Sequence, residues 1–218
     1  MTADVDHLVV AAASLEQGVA WCEALFGLAP SAGGKHPLMG THNRVFAIGS
    51  SCFAGTYLEI VVIDPAAKPP GRKRWFGLDE PALQARVAQE PRLVHMVART
   101  AVLDRLRNDL AVLGIDAGRP LAASRETPQG RLQWQILVRD DGKLLHGGAL
   151  PTLIQWQGPH PTETLPDSGV ELRALQLAGV PAAARQVLAL RHVIHADVGP
   201  ALRALLNTPK GEVVLETR

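Results

Sequence analysis

One pattern constrains the fold more than any other, because it occurs three times: a short apolar strand, a turn of small residues and then a helix. The copies begin at Asp6, Val94 and Arg173. Each copy is followed by runs that are typical of strands: "NRVFAIGS" and "TYLEIVVID" after the first, "RLQWQILVR" and "TLIQWQ" after the second, and "HVIHAD", "PALRALLNT" and "GEVVLETR" after the third. Internal repetition of this kind indicates units that pack together to bury their apolar faces. The sequence therefore predicts a βα unit followed by about three further strands, in three copies.

The first two predicted helices carry signals at both ends. Ser14 is the predicted N-cap of the first helix, with Gln17 three residues later in the pattern of a capping box, and Gly27 is the stop signal. In the second copy, Thr100 is the predicted cap and Gly114 follows the helix. Apolar residues recur between these limits at helical spacing: Leu15, Val19, Cys22 and Phe26 in the first helix, and Leu103, Leu106, Leu110 and Leu113 in the second.

These signals divide the 218-residue chain into three modules and two connecting segments. The predicted segments are a first βαβββ module at 1–63, a connector at 64–91, a second module at 92–157, a linker at 158–169 and a third, smaller βαβββ-like module at 170–218. The hydrophobic fraction of 47% is enough for one large domain or for a few small modules that share a core. The expected fold class is α+β, with repeated βαβββ modules, two of which pair into a curved sheet that cups a site.

Composition argues against several classes of function. The net charge of +1 favours binding to neither nucleic acid nor an anionic membrane, and no apolar run approaches the ~18–20 residues of a transmembrane helix. Cys22 and Cys52 form no CxxC pair, so a reducing, cytoplasmic location is expected. The first ten residues, "MTADVDHLVV", lack the basic region and cleavage site of a secretory signal. A small molecule is therefore the expected partner.

Strand alternation places two ionisable residues on the same side of the predicted sheet. In "DVDHLVV", His7 lies on one face and Asp6 on the other. In "TYLEIVV", Glu59 shares a face with Tyr57, and the opposite face is wholly apolar. Because the apolar faces must meet the helices, His7 and Glu59 are predicted to project from the concave side of the sheet.

The second module repeats this pattern, with His95 in "LVHMV" and with Gln155 in "TLIQW" at the place that corresponds to Glu59. If the first two modules pair about an approximate two-fold axis, the four residues His7, Glu59, His95 and Gln155 converge. Two imidazoles, a carboxylate and an amide oxygen suit a divalent metal that keeps positions open for water or substrate. The alternative is that each is a buried polar residue that only forms hydrogen bonds.

The motifs resemble those of the vicinal oxygen chelate superfamily, which includes glyoxalase I, extradiol dioxygenases and fosfomycin-resistance enzymes. "DHLVV" before a helix and the later "YLEIVVIDP" are similar to that superfamily's opening module. The segments "GGKHPLMGTHNRVFAIG", "SRETPQGRLQWQIL" and "LPTLIQW" resemble, more narrowly, the glyoxalase-like domain group. The resemblance covers residues 4–157, and the tail at 170–218 fits the same architecture.

The resemblance implies a divalent metal (Zn, Ni, Fe or Mn) held by His7, Glu59, His95 and Gln155, with Glu59 as the catalytic residue. It implies a metal-dependent lyase or isomerase of the glyoxalase type, or a dioxygenase, that acts on a small oxygenated metabolite. Gln155 departs from the glutamate usual at its place, and an amide cannot act as a base. This departure favours the alternative, a metal-free small-molecule binding or sequestering protein of the same fold. The third module is then structural, and it completes the sheet or forms a homodimer contact.

A further set of residues is predicted to contact the substrate: His36, Asn43, Tyr57, Arg125 and Trp134. His36 and Asn43 lie in "GGKHPLMGTHNR", which is expected to form a loop over the cup. Arg125 could bind an anionic substrate, and a surface arginine is the alternative. In the connector, Trp75 is the last residue of the basic run "GRKRW", and Phe76 follows it. A lid that closes over the substrate is one hypothesis for this run, and a solvated loop is the other.

Overall fold

The computed structural model describes residues 3–128 and 130–217. Met1 and Arg218, the outer limits of the first and third predicted modules, lie outside the described residues. The helices are α1 (Leu15–Phe26), α2 (Pro81–Val87), α3 (Leu103–Val112) and α4 (Ala182–Leu188). The strands of the first part of the chain are β1 (Asp4–Ala11), β2 (Ser31–His36), β3 (Thr41–Ala47), β4 (Tyr57–Ile63), β5 (Arg92–Arg99), β6 (Arg119–Thr127), β7 (Gly130–Val138) and β8 (Thr152–Gln157). The remaining strands are β9 (Glu171–Ala178), β10 (Val193–Ala196), β11 (Leu202–Thr208) and β12 (Gly211–Glu216).

Strands β1 to β8 form one sheet in the order β2-β3-β4-β1-β5-β8-β7-β6. The two halves meet where β1 pairs with β5 in antiparallel fashion. Within each half, the first strand pairs in parallel with the last, β1 with β4 and β5 with β8. The halves therefore repeat each other about an approximate two-fold axis between β1 and β5. The predicted α+β fold, with two βαβββ modules paired into a curved sheet, is confirmed.

Apolar side chains cover both faces of this sheet. On one face, Leu8 and Ile60 belong to a buried cluster that also contains Phe26 of α1 and Leu110 of α3. On the opposite, concave face, a second cluster contains Val9 and Val61 together with side chains of the connector and of β7. Alternation along β1 and β4 thus sends successive side chains into two different cores. A polar residue on the concave face is surrounded by apolar groups, so it must find polar partners there.

The signals at the ends of α1 are confirmed. The Ser14 hydroxyl accepts a hydrogen bond from the Gln17 backbone N–H, and Gly27 has the left-handed backbone conformation of a C-cap. The predicted cap of α3 is displaced by two residues. Val102 is the N-cap, and Thr100 lies just outside the helix, where its hydroxyl accepts a hydrogen bond from the Val102 N–H.

The segment "GGKHPLMGTHNR" is a β-hairpin and not the predicted loop. Ser31–His36 forms β2, which pairs with β3 across a short turn at 37–40. Gly33 and Gly34 led to the prediction of a loop, because glycine is disfavoured in strands. Gly33 is required here for space, since a Cβ at this position would lie 2.1 Å from Asn43 Oδ1.

The connector crosses the concave face of the sheet. It contains a short 3₁₀ helix at Trp75–Gly77 followed by α2. Trp75, Phe76 and Leu83 are buried in the concave cluster. Phe76 has a φ of +58°, which is strained for a bulky side chain. The connector thus covers the site, and its opening as a lid stays a prediction.

The C-terminal strands form a separate sheet in the order β10-β9-β11-β12. The element order β-α-β-β-β is the predicted one. The strand pairing differs from that of the first module, because β9 pairs with both β10 and β11, whereas β1 pairs with β4, the last strand of its module. The apolar residues of this sheet join the helix-side core, as Leu172 and Leu206 illustrate. The Leu172 N–H also donates to the Ile48 carbonyl. This unit therefore packs on the helix side of the large sheet, away from the concave face, and its role in a homodimer stays a prediction. Among the helices of the described residues, none is long and apolar enough to cross a membrane.

Candidate functional site

A β-bulge in β1 brings two consecutive polar side chains together. Asp6 has no partner in the ladder with β5, where the register shifts between Val5 and His7. Such a bulge interrupts the alternation of faces. The Asp6 carboxylate lies 2.6 Å from His7 Nδ1 and is fully buried. The prediction that Asp6 and His7 lie on opposite faces is therefore wrong, because alternation assumes an unbroken ladder.

Three donors hold the Asp6 carboxylate. His7 Nδ1 is one, Trp156 Nε1 donates at 2.9 Å, and His160 Nε2 lies 3.0 Å away. His160 Nδ1 accepts a hydrogen bond from the Thr162 N–H, so its Nε2 carries the proton that points to Asp6. Burial alone would raise the pKa of Asp6, but the hydrogen bonds from His160 and His7 outweigh it and hold the pKa well below its usual range. Asp6 is therefore ionised, and His7 Nδ1 donates to it.

This anchor turns the other nitrogen of His7 towards Glu59. The distance from His7 Nε2 to Glu59 Oε2 is 3.6 Å. The other oxygen of Glu59 accepts a hydrogen bond from Asn43 Nδ2 at 2.5 Å. Asn43 is oriented in turn by the Gly34 N–H, which donates to its Oδ1 at 2.6 Å. A line of polar contacts thus runs through buried side chains from β2 to the linker.

Seven of the nine predicted site residues line one small pocket beside this line: His7, His36, Asn43, Tyr57, Glu59, Arg125 and Trp134. Trp75 and Phe76 of the connector also line it, as does Trp156 of β8. About 30 Å³ is accessible to the centres of water molecules, which is room for a water or for one functional group of a ligand. The role of these pocket-lining residues in binding or catalysis stays a proposal.

Burial also fixes the charge of two aromatic side chains in the pocket. Desolvation lowers the pKa of His36 to about 4, against an opposing effect of the nearby Glu59. His36 is therefore a neutral imidazole at neutral pH, with Nδ1 3.1 Å from the Thr41 hydroxyl. Desolvation, followed by the charges of Asp6 and Glu59, raises the pKa of Tyr57 well above its usual value. Tyr57 is a neutral phenol whose ring stacks on His7, with centroids 4.5 Å apart.

His95 lies on the concave side, but both of its ring nitrogens are occupied. The Thr152 N–H donates to Nε2, and Nδ1 therefore donates to the Gly148 carbonyl, both at 3.0 Å. Burial lowers the pKa of His95 to about 3, although the Gly148 bond acts in the opposite direction. The imidazole is neutral and fully hydrogen-bonded, which is the alternative considered for a buried histidine. The structure does not place it in the pocket with His7 and Glu59.

The strand registers identify the true counterpart of Glu59 in the second half. Val9 of β1 pairs with Glu59, and Val97 of β5, which occupies the place of Val9, pairs with Thr152. Thr152 therefore corresponds to Glu59, and its hydroxyl contacts His95 Nε2 just as Glu59 faces His7 Nε2. The bulge of β1 is repeated as well, because β5 has an unpaired residue at Val94. The second half thus keeps the histidine and replaces both carboxylates by valine and threonine.

Gln155 lies on the helix side of the sheet. It was predicted to correspond to Glu59, but it lies three residues after Thr152, which is the true counterpart. Its neighbours Ile154 and Trp156 line the pocket, so alternation directs Gln155 to the helix side. There its Oε1 accepts a hydrogen bond from the Leu103 N–H at the start of α3. The expected convergence of Gln155 with His7 is therefore not met. The run "TLIQW" resembles "TYLEI" in residue types, but the two runs pair with their neighbouring strands in different registers.

We expect Gln155→Ala to lower the free energy of unfolding by about 1 kcal/mol, because it removes an acceptor at the N-terminus of α3. Urea denaturation measures this change. Gln157→Ala, at an exposed position of the same strand, is the matched control and is expected to change stability by less than about 0.5 kcal/mol. Equal stability of the two variants would contradict the capping role.

The donor set for the implied metal does not assemble. Within residues 3–128 and 130–217, no group of three or more His, Cys, Asp or Glu side chains is arranged to hold a metal ion. Of the four predicted ligands, His7 and Glu59 face each other, whereas His95 is saturated by hydrogen bonds and Gln155 lies on the opposite face. The residues present do not fit the four-ligand site that the resemblance implies.

Three residues that complete the site were not predicted: Asp6, Trp156 and His160. Asp6 was assigned to the wrong face, and its position directly before His7 was the available signal. His160 lies in the segment predicted to be a linker, and no pattern in the sequence links it to Asp6.

Comparison with known proteins places the fold. No curated protein matches the chain. A hypothetical protein from Staphylococcus aureus has a similar structure, with a TM-score of 0.61 and 14% identity over 99% of this chain and 86% of that one. Methylmalonyl-CoA epimerase from Streptomyces coelicolor has a TM-score of 0.42 and 17% identity, over 70% of this chain and 92% of its own. The epimerase from Mycobacterium tuberculosis has a TM-score of 0.42 and 15% identity, over 73% and 89%.

The family comparison covers most of the sequence. The model of the glyoxalase-like domain matches residues 5–192, which include the whole eight-stranded sheet apart from its first residue. The predicted resemblance is confirmed at this level, together with the paired βαβββ architecture. The chain belongs to the glyoxalase-like domain family.

Proposed function

We propose that the protein is an isomerase or lyase that moves a proton at a carbon atom next to a carbonyl group in a small oxygenated metabolite. The observation that supports this proposal is the Asp6–His7–Glu59 line in a closed pocket. It puts a carboxylate oxygen and an imidazole nitrogen 3.6 Å apart. Such a pair can remove a proton from one position of a substrate and return one at another.

In this proposal Glu59 is the base. Its carboxylate takes the proton from carbon and becomes a carboxylic acid, while the electron pair of the broken C–H bond moves to the carbonyl oxygen as an enolate. Asn43 holds the carboxylate in place through Oε1. Glu59 then passes this proton to the unprotonated Nε2 of His7, whose Nδ1 stays bonded to Asp6, and Nε2 returns it to a different atom of the enolate. A carboxylate that orients an imidazole in this way is a recurrent device in enzymes.

The surroundings stabilise the charge that develops on the substrate. Arg125 lines the pocket and carries the positive charge that an enolate oxygen requires. Trp75, Phe76 and Trp134 form apolar walls around the same space. Because a low local dielectric strengthens electrostatic interactions, Arg125 is worth more here than on an open surface.

The proposed reaction does not use a metal. The metal-dependent form, whether lyase, isomerase or dioxygenase, requires further protein ligands beside His7 and Glu59, and His95 has no free nitrogen to supply one. The choice of a metal-free reaction therefore rests on which side chains are available to bind a metal. It also separates the proposal from the metal-dependent function that the family resemblance implies.

Proton exchange tests the proposal directly. Purified protein is incubated in D₂O with a panel of 2-oxo acids, 2-hydroxy ketones and 1,3-dicarbonyl compounds, and loss of the carbon-bound proton is followed by NMR. At least one class is expected to exchange faster than its uncatalysed rate. The rate is expected to stay the same after dialysis against a chelator and after addition of Zn, Ni, Fe or Mn.

The outcomes distinguish the alternatives. Exchange that disappears with the chelator and returns with one metal would establish the metal-dependent function instead. Saturable binding of panel members without exchange would favour a metal-free binding or sequestering protein.

A further inference from the structure

Two buried donors in the pocket have no hydrogen-bond partner. Arg125 Nε and Trp75 Nε1 are both inaccessible to solvent and unpaired. Among the described side chains that line the pocket, they are the two with such an atom. Trp75 is only 7% exposed. Since an unpaired buried donor is costly, both atoms indicate an acceptor that arrives with the ligand.

None of the described acceptors bonds either atom, and most of the acceptors around the pocket already have donors of their own. Asp6 is held by His7, Trp156 and His160. Glu59 Oε1 accepts from Asn43. Asn43 Oδ1 accepts from the Gly34 N–H at 2.6 Å and only weakly from Arg125 Nη1, at 3.4 Å. The missing acceptor must therefore belong to the substrate.

The chemistry of the two donors favours a carboxylate. A guanidinium matches the planar geometry of a carboxylate and binds it with two parallel hydrogen bonds. A phosphate would bring a second negative charge close to Glu59 and Asp6, and the small pocket leaves little room for a tetrahedral group. A single planar anion is the better fit.

An outer groove next to the pocket indicates the shape of the rest of the substrate. The groove and the pocket share His36, Trp75 and Trp134 in their walls. About 430 Å³ of the groove is accessible to the centres of water molecules. Its walls include Met39 and Leu38, and Leu38 is 47% exposed. An apolar chain in this groove would cover that exposed surface.

We propose that the substrate is a carboxylate with an apolar body. The carboxylate binds Arg125 and Trp75 Nε1 inside the pocket, the apolar body lies in the outer groove, and the C–H carbon next to the substrate's carbonyl group faces Glu59. This inference rests on the proposed function only in taking the pocket as the substrate site. Its test therefore measures binding, and proton exchange is measured separately.

Calorimetric titration of the Glu59→Gln protein tests the proposal without turnover. The probes are 2-oxooctanoate, its neutral amide, pyruvate and octyl phosphate. We expect 2-oxooctanoate to bind at least 10-fold more tightly than the amide, because a hydrogen bond to a charged group is lost with the amide. It is also expected to bind more tightly than pyruvate, which lacks the apolar chain, and more tightly than octyl phosphate.

Variants assign the preference to named atoms. Adding Arg125→Met is expected to reduce the 10-fold preference for the carboxylate to less than about twofold, and Arg125→Lys, which keeps the charge but not the planar group, to restore only part of it. Trp75→Phe keeps the aromatic wall and is expected to weaken 2-oxooctanoate several-fold. Arg119→Met is the matched control, because Arg119 lies on the same strand with its side chain 82% exposed.

Several results would overturn the proposal. These are equal affinity for the acid and the amide, a preference that survives Arg125→Met, tighter binding of octyl phosphate, or no binding of any probe at millimolar concentration. Carboxylate binding without proton exchange in the wild-type protein would leave this inference standing and refute the proposed function.

Discussion

Replacement of Glu59 by glutamine is expected to slow proton exchange between substrate and solvent by roughly 10²- to 10⁴-fold, the range typical of a lost general base. The change is nearly isosteric, and the amide oxygen of glutamine can still accept the hydrogen bond from Asn43 Nδ2. It removes the ability to take up a proton. Binding should therefore persist while exchange is lost, which NMR in D₂O and calorimetry measure on the same sample.

The control for this variant is Glu212→Gln, which makes the same chemical change at an exposed position of β12. Its exchange rate should equal that of the wild type. If Glu59→Gln exchanged within threefold of the wild type, Glu59 would not be the base.

The second large effect concerns stability and pH. His36 and His95 are buried as neutral imidazoles, with pKa values of about 4 and about 3 in the folded protein. In the unfolded chain their pKa is about 6.5. Below that pH the unfolded chain binds protons that the folded protein does not, so stability falls as the pH falls. Each histidine contributes up to about 1.4 kcal/mol per pH unit, and the two together roughly 3 kcal/mol between pH 6.5 and 5.

Urea denaturation at pH 7, 6 and 5 measures this loss. His95→Gln should approximately halve the dependence on pH over this range, because one of the two groups no longer titrates. The low pKa of Asp6 adds to the loss only below its usual value of 3.8, so it does not contribute in this range. A free energy of unfolding that stays constant from pH 7 to pH 5 would contradict the account.

Alternation and helix signals were sufficient for six of the eight strands of the large sheet, all but β2 and β6, and for half of the site. His7, Tyr57 and Glu59 share the concave face as predicted, because β4 is regular and its apolar residues specify which side meets the helices. The hairpin strand β2 was missed because it contains glycines, which have a low strand propensity. Glycine is needed there because the strand lies very close to Asn43.

The remaining errors have one main cause, which is register. Alternation gives the face of a residue only where the ladder is unbroken, and bulges at Asp6 and Val94 break it in both halves. Gln155 was matched to Glu59 by similarity of letters, whereas the ladder matches Thr152. Because a shift by an odd number of residues reverses the face, this error moved a helix-capping residue into the predicted metal site.

The contact between Asp6 and His160 joins residues 154 positions apart, and the bond from Trp156 spans 150. During synthesis at about 5–20 residues per second, roughly 8–30 seconds therefore pass between the addition of Asp6 and the addition of His160. A buried carboxylate without them is unfavourable, so the first module is not stable in its final form by itself. The hydrogen bonds to Asp6 can consequently form only after both halves of the sheet have been made, and their completion reports that the two halves have joined.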